Sequence, residues 1–309
     1  MAKKSTSKAW AEYFLVRGLM AFLGLLPRSM AVGVSMGLTS LGYYLAGGLR
    51  RVAEKNLSIA FPDLSEADRT LYAKGAFRNV GRIIGEMSQF PKATPESLAK
   101  LIEFRIDPAL YDAYQRLKAE GRGVIIVSPH LGNWEMLVFG WAVYDAPMSY
   151  LARPLDNTMV ERLTVELRTK FGNRPIDKTN SVMAAARVLR TEGLLGILAD
   201  VNAHPKEGVF VPFFGISACT SAGPALLALR TNSAIVPMCA AWDEDGGRYI
   251  AVHGPMISPE DTGDRQTDVA ATTSAFTAEV EKLIRRFPDQ WLWMHKRWKT
   301  RPPGEPPMY

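Results

Sequence analysis

The stretch "VIIVSPHLGNWEMLVFGW", Val124 to Trp141, changes character in its middle. A run of β-branched residues, typical of a buried strand, ends at Ser-Pro-His. Gly132 then supplies backbone freedom and Asn133 supplies a capping side chain, after which a second apolar run begins. The stretch therefore predicts a strand, a tight turn and a helix. We place His130 on the turn and Glu135 on the first turn of the helix.

The same alternation continues on both sides of this stretch. Strands are predicted at about residues 123–128, 147–152, 194–199, 234–239 and 248–253. Helices are predicted at about residues 132–143, 157–171, 180–191, 220–231 and 268–286. Alternation of this kind, with strands that are apolar along most of their length, is typical of parallel sheets covered on both faces. We expect an α/β fold with a central, mostly parallel sheet flanked by helices.

Composition indicates a globular chain with an anionic partner. The 309 residues are 47% hydrophobic and 22% charged, with a formal net charge of +6. Such an excess favours a membrane surface, an acidic carrier protein or nucleic acid, and the absence of any nucleic-acid-binding motif makes nucleic acid the least favoured. The four histidines lack zinc-ligand spacing, so no metal is expected, and Cys219 and Cys239 are predicted to be buried thiols.

Residues 1–50 contain two apolar stretches flanked by cations. The uninterrupted run Gly18 to Leu26 is shorter than the ~20 residues that a membrane-spanning helix needs. Two helices lying in the membrane interface would explain the pattern, and ordinary amphipathic core helices are the alternative. The cations that would meet anionic headgroups are Lys3, Lys4, Lys8, Arg28, Arg50 and Arg51.

The pair His130 and Glu135 allows two interpretations from its spacing. A carboxylate bonded to one imidazole nitrogen would fix the tautomer and make the other nitrogen a general base. The alternative is a polar pair that only caps the helix. A metal site would need a third ligand, and a covalent mechanism would need a nucleophile motif that Ser128 lacks. Spacing alone leaves the dyad and the cap open.

The residues resemble a known family. "PHLGNWE" (Pro129 to Glu135) resembles the H-x4-[DE] signature of the glycerolipid acyltransferase superfamily, in the N-W-E form of bacterial lipid A biosynthesis acyltransferases. Similar blocks follow the family order: "RRVAEKNLSIAFPDLS" (50–65), "ARPLDN" (152–157), "GILADVNAHPKEGVFVPFFG" (196–215) and "FPDQWLWMHKRWKTRP" (287–302).

The resemblance implies a membrane-associated O-acyltransferase on the cytoplasmic face of the bacterial inner membrane. It would move a fatty acyl group from acyl carrier protein or coenzyme A, as co-substrate and without a cofactor, to a hydroxyl of a lipid A precursor. Residues 1–50 would form the membrane-associating region and residues 51–309 the acyltransferase domain. The alternatives are another glycolipid or lysophospholipid acceptor, such as a phosphatidylinositol mannoside, and a non-catalytic lipid-binding relative.

The resemblance also assigns roles. His130 would be the general base with Glu135 as its partner, and Asp200 stands where the superfamily has the acid of its third motif. Because Asp200 also ends an apolar strand, we expect it to orient His204, Lys206 or a loop amide. Arg153 and Arg168 would face acceptor phosphate or the thioester.

For the oxyanion of acyl transfer, we expect donors at Arg168 or at the amides near Gly132 and Asn133, where a helix begins. We group Asn133 with the substrate-binding residues.

Several aromatic residues remain ambiguous. The cluster "VFVPFFG" (209–215) is either core packing or the wall of an acyl-chain groove. "QWLWMHKRWK" (290–299) interleaves tryptophans with cations, which suits a membrane interface, an acidic carrier or a segment packed on the sheet edge. His295 lacks an acidic neighbour in the sequence, so we do not propose it as a base.

Overall fold

The computed structural model describes residues 6–152, 154–176 and 181–309. Its helices are α1 (Thr6–Leu25), α2 (Arg28–Leu45), α3 (Gly47–Ala60), α4 (Glu66–Gln89), α5 (Pro95–Leu101), α6 (Pro108–Ala119), α7 (Trp134–Tyr144), α8 (Thr158–Thr169), α9 (Ser181–Thr191), α10 (Gly223–Thr231) and α11 (Arg265–Arg286). Its strands are β1 (Ile102–Phe104), β2 (Val124–Ser128), β3 (Ser149–Leu151), β4 (Arg174–Ile176), β5 (Leu194–Leu198), β6 (Gly208–Phe213), β7 (Ile216–Ser221), β8 (Ala234–Asp243) and β9 (Arg248–His253).

Seven of these strands form the central sheet in the order β1-β9-β8-β2-β5-β3-β4. The five strands from β8 to β4 are parallel, whereas β9 is antiparallel to β8 and β1 is parallel to β9. The two central strands, β2 and β5, pair from Val124 with Leu194 to Ser128 with Leu198. Hydrophobic clusters lie on both faces of the sheet. The predicted α/β fold with a mostly parallel sheet is confirmed.

The main differences from prediction concern two very short strands, the length of β8 and an additional hairpin. β1 and β4 have three residues each, too few for a periodic pattern, and their identity depends on their neighbours in the sheet. β8 extends to Asp243 because β9 pairs with its second half, from Met238 with His253 to Asp243 with Arg248. The hairpin of β6 and β7 forms a separate two-stranded sheet that the sequence did not reveal.

The N-terminal region is helical, as predicted, and α2 packs closely against α4. A side chain at Gly81 or Gly85 of α4 would clash with the α2 backbone near Met36 or Val32, so glycine permits this approach. Arg28 also pairs with the buried Glu86, with Nε 2.9 Å from Oε2. Among the described helices, none combines the length and apolar content needed to cross a membrane. Membrane association of these helices stays a prediction.

The C-terminal segment is part of the core. Trp291, Trp293 and Trp298 are at most 1% exposed, so the predicted membrane or carrier interface at these tryptophans is wrong and packing against the sheet is confirmed. The Asn56 side chain of α3 donates hydrogen bonds of 2.7 Å to the carbonyls of Trp293 and His295. A long-range contact that sequence spacing cannot reveal therefore fixes this segment.

Candidate active site

The turn after β2 has the predicted conformation. Gly132 has a φ of 60°, and a Cβ there would overlap the carbonyl group of Ala240 on β8. Only glycine meets both the positive φ and the close approach. Asn133 caps α7, since its Oδ1 accepts a 3.0 Å hydrogen bond from the amide of Met136. The turn therefore ends the strand and starts the helix as the sequence indicated.

The same turn is held by distant parts of the chain. The His130 carbonyl accepts a 3.0 Å hydrogen bond from the Leu292 amide, and the Gly132 amide donates one of 3.1 Å to the Gln290 carbonyl. Asn79 of α4 donates from Nδ2 to the carbonyls of both Gly132 and Gln290, at 2.8 and 2.9 Å. These bonds fix the backbone that carries His130.

His130 is paired with Asp200, not with Glu135. Its Nδ1 lies 2.7 Å from Asp200 Oδ1, and its backbone amide donates to Asp200 Oδ2 at 2.7 Å. Trp291 Nε1 donates a third hydrogen bond, also 2.7 Å, to Oδ2. The predicted His130–Glu135 contact is wrong because β2 and β5 are neighbours, which brings their carboxyl ends together. Of the predicted partners of Asp200, the loop amide is correct, and it belongs to His130 itself.

Electrostatics fix the protonation of this pair. Burial opposes ionisation of Asp200, but the charge of His130 and the hydrogen bonds outweigh it and lower the pKa of the carboxyl. Burial likewise opposes the imidazolium, yet the adjacent Asp200 raises the pKa of His130 above its ordinary value. An ionised carboxylate only accepts, so neutral His130 carries its proton on Nδ1. Nε2 then has the lone pair and makes no hydrogen bond within residues 6–152, 154–176 and 181–309.

Glu135 instead holds Arg168. The Nε of Arg168, on α8, lies 2.8 Å from Glu135 Oε2, and Nη2 bonds to Oε1, which makes a two-pronged ion pair. Glu135 is 5% exposed and the Arg168 side chain 18%. Burial lowers the pKa of Arg168 but the hydrogen bond and charge of Glu135 outweigh this, so its pKa is raised. Arg168 therefore stays charged beside His130.

The predicted amide donors are already engaged. The Gly132 amide bonds to Gln290 and the Asn133 amide to the Ala240 carbonyl at 2.8 Å. The expectation that these two amides would bind an oxyanion is therefore wrong, since each of them already donates to a backbone carbonyl. The Asn133 side chain caps α7 and is fully buried, so it supports the turn and does not reach the cavity. Arg168 remains as the charged donor among the predicted candidates.

A cavity of about 550 Å³ opens at His130. Glu135, Arg168 and His295 contribute polar groups at its wall, and Trp134 lies against the His130 ring with centroids 4.9 Å apart. The remaining wall is mainly aliphatic and comes from α7, β2, β3 with the residue before it, and β5: Ile126, Leu137, Val138, Met148, Leu151 and Leu198. A mostly apolar pocket with a few convergent polar groups is the usual form of a small-molecule or lipid site.

The other predicted residues have varied positions. Arg153 lies outside the described residues. Phe213 and Phe214 are buried in the core, which confirms the core-packing alternative for them. The His295 Nε2 accepts a 3.0 Å hydrogen bond from the Asn202 amide, and burial lowers its pKa. Its position at the cavity wall was not predicted.

Sequence reasoning missed Trp291 and Asn79 as supports of the site. Trp291 lies 91 residues from its partner Asp200, and Asn79 lies 53 residues from Gly132. The tryptophan-rich block indicated that the segment was special, but no spacing rule connects it to a strand end. Only the tertiary structure assigns these contacts.

Comparison with known proteins identifies the family of the chain. The sequence matches the family described as "Bacterial lipid A biosynthesis acyltransferase" over residues 1–300. The chain belongs to this family. Its members share the acyl-transfer role, and the chain is accordingly an acyltransferase.

Three relatives with different names illustrate how similar the chain is to known proteins. The chain is similar to the lipid A biosynthesis lauroyltransferase of Escherichia coli K12, 26% identical over 314 residues that cover 100% of this chain and 99% of the relative. It is 25% identical over 298 residues to the myristoyltransferase of the same strain, covering 93% and 86%. It is also 30% identical over 183 residues to a phosphatidylinositol mannoside acyltransferase of Mycolicibacterium smegmatis, covering 58% and 57%.

Proposed function

We propose that this acyltransferase moves a fatty acyl group from a thioester donor, acyl carrier protein or coenzyme A, to a hydroxyl of a lipid A precursor. His130 acts as general base and no acyl group is bound covalently to the protein. The observation that carries the proposal is the 2.7 Å pair of His130 Nδ1 and Asp200 Oδ1 at the mouth of an apolar cavity.

The first step is deprotonation of the acceptor. His130 Nε2 takes the proton of the acceptor hydroxyl while its oxygen attacks the thioester carbonyl carbon, forming a new C–O bond. Asp200 holds the tautomer and stabilises the imidazolium, as a buried carboxylate does in such pairs. General-base catalysis of this kind contributes about 10²–10⁴-fold to the rate.

The second step restores the base. The tetrahedral intermediate collapses with cleavage of the C–S bond, and the imidazolium returns its proton to the leaving thiolate. The products are an ester and a free thiol, so charge and protons balance without a metal or redox partner.

Arg168 supplies positive charge where the oxyanion develops. Glu135 uses the Nε and Nη2 groups of Arg168, which orients the guanidinium and leaves Nη1 without a hydrogen bond to any described residue. One fixed donor to an oxyanion is worth about 10²–10³-fold. In this proposal Glu135 acts through Arg168, while Arg153 stays a proposed contact for acceptor phosphate.

A membrane-bound acceptor fits the surface around the cavity mouth. Asn157, close to the cavity-lining Leu155, donates a 2.8 Å hydrogen bond to the Ala9 carbonyl, which places α1 beside the mouth. Helices α1 and α2 expose many large apolar side chains: Phe14, Leu15, Phe22, Leu25, Met30, Leu38, Leu41 and Leu45. Exposed large apolar side chains on neighbouring helices are typical of a membrane or protein interaction surface, and they support docking on the cytoplasmic face of the inner membrane.

The experiment uses purified protein, an acyl carrier protein or coenzyme A thioester, and a lipid A precursor in detergent micelles. Wild type should form an acylated precursor and a free thiol in equal amounts, whereas His130→Ala should lose at least ~10²-fold in kcat while keeping its thermal unfolding midpoint. Near-normal turnover by His130→Ala would exclude the base.

A parallel reaction tests the acceptor and the absence of a covalent intermediate. Intact-protein mass spectrometry of wild type quenched without acceptor should show no acyl adduct. The 30% identity to the phosphatidylinositol mannoside acyltransferase favours that glycolipid as the second acceptor class. Transfer to a phosphatidylinositol mannoside but not to the lipid A precursor would overturn the acceptor and retain the chemistry.

A further inference from the structure

The apolar cavity has an open end and a closed end. Leu155, near the mouth, is 45% exposed, whereas Ile126, Leu137 and Met148 at the other end are at most 2% exposed. Met148 and Ala152 flank β3 and are four residue steps apart, a distance of roughly 13 Å in extended chain. A long apolar substituent that enters beside His130 must therefore end against the residues at the closed end.

Glycine lies at this closed end, inside a buried strand. Gly196 in the middle of β5 is level with Ile126 of β2 on one side and Tyr150 of β3 on the other. These neighbours carry large side chains on the face that lines the cavity, so the missing side chain at Gly196 leaves a groove between them. A glycine within a strand weakens it and commonly marks a place where a ligand approaches the backbone.

Met148 closes the groove. A Cβ added at Gly196 would lie 3.1 Å from the Met148 sulfur and 3.5 Å from the Tyr150 Cβ. The nearest atom is thus the far part of a flexible side chain, which can yield to a methyl group. The space is occupied by an adaptable residue that a substrate tail or a small substitution would meet first.

We infer that Gly196 and Met148 form the floor of the acyl-chain site and set the length of the fatty acyl group that the enzyme transfers. The inference rests on the proposed function and deepens it. A residue larger than glycine at position 196 raises the floor, and a residue smaller than methionine at position 148 lowers it. Each methylene of the acyl chain that can no longer be buried in the cavity lowers binding about fourfold, since burial of one CH₂ contributes about 0.8 kcal/mol.

The test measures transfer from acyl thioesters of increasing chain length. Gly196→Ala and Gly196→Val should move the kcat/KM optimum to progressively shorter chains, and Met148→Ala should move it to longer chains. The matched control is Ile125→Val, since Ile125 is buried on the opposite face of the sheet and loses one methylene there. It should retain the wild-type optimum.

A second readout does not depend on turnover. Free fatty acids of the same lengths are added to each variant, and the chain length that raises the thermal unfolding midpoint most is recorded. The proposal is supported if the preferred chain length becomes shorter in the position 196 variants and longer in Met148→Ala. A wild-type chain-length optimum that none of the variants moves overturns it while leaving acyl transfer intact. If the wild type transfers no acyl group at all, the proposed function itself is wrong.

Discussion

Asp200 Oδ1 and His130 Nδ1 lie 2.7 Å apart although 70 residues separate them in the chain. The contact exists because β2 and β5 are adjacent parallel strands that end at the same edge of the sheet. It fixes which imidazole nitrogen is free and what raises the pKa of His130.

This pair predicts the pH dependence. Deprotonated His130 is the active form, and its pKa is raised, so kcat/KM should increase with pH through a midpoint above the ordinary histidine value.

The variant Asp200→Asn removes the charge that raises the pKa of His130. The midpoint should move to lower pH, and the maximal rate should fall about 10²-fold or more because the tautomer is no longer fixed. The control Asp261→Asn removes an exposed carboxylate and should change neither value. An unmoved midpoint in Asp200→Asn would contradict the pairing.

The ion pair of Glu135 and Arg168 predicts a stability effect. Glu135→Gln leaves a largely buried guanidinium without its partner, so the free energy of unfolding should fall by about 1–3 kcal/mol. Glu135→Gln combined with Arg168→Gln should recover part of this loss, because no charge is then stranded. Urea unfolding of Glu135→Gln, Arg168→Gln and the double variant measures the three changes in the free energy of unfolding. Lys282→Gln, which breaks an exposed pair with Glu279, should change stability by less than about 0.5 kcal/mol. Additive losses in the double variant would argue against the coupling.

Gly132 allows two physical effects to be separated. Gly132→Ala adds a side chain at a φ of 60° and also overlaps Ala240, whereas Gly247 has the same φ with open space around it. Gly247→Ala should cost about 1–2 kcal/mol for the left-handed conformation alone. Gly132→Ala should cost clearly more and should also lower kcat, because the turn carries His130. Equal losses in the two variants, measured by thermal unfolding, would show that the close approach is unimportant.

Trp291 should support Asp200 through its indole N–H. Trp291→Phe keeps most of the packing but removes the 2.7 Å hydrogen bond to Oδ2, which should cost about 1–3 kcal/mol beyond the packing loss and reduce kcat. Trp298→Phe is the matched control, since Trp298 is equally buried and its Nε1 has no hydrogen-bond partner among the described residues. A similar kcat in the two variants would mean that Trp291 contributes packing alone.

Much of the sheet was predictable because its central strands are apolar runs with clear turns after them. The helix start at Asn133, the turn at Gly132 and the positions of His130 and Asp200 at strand ends all follow from local patterns that act within a few residues. The start of α4 is equally local, since the Ser65 side chain accepts a 3.1 Å hydrogen bond from the Asp68 amide three residues later.

The sequence by itself therefore determined the fold class, the ends of the main strands and the residues gathered at one rim. Only the tertiary structure decided how those residues pair: Asp200 with His130, and Glu135 with Arg168. It also decided that the C-terminal tryptophans are buried and that Gly196 faces a cavity. Pairing depends on strand order and on which helix covers which face, and both arise from contacts between segments far apart in the chain.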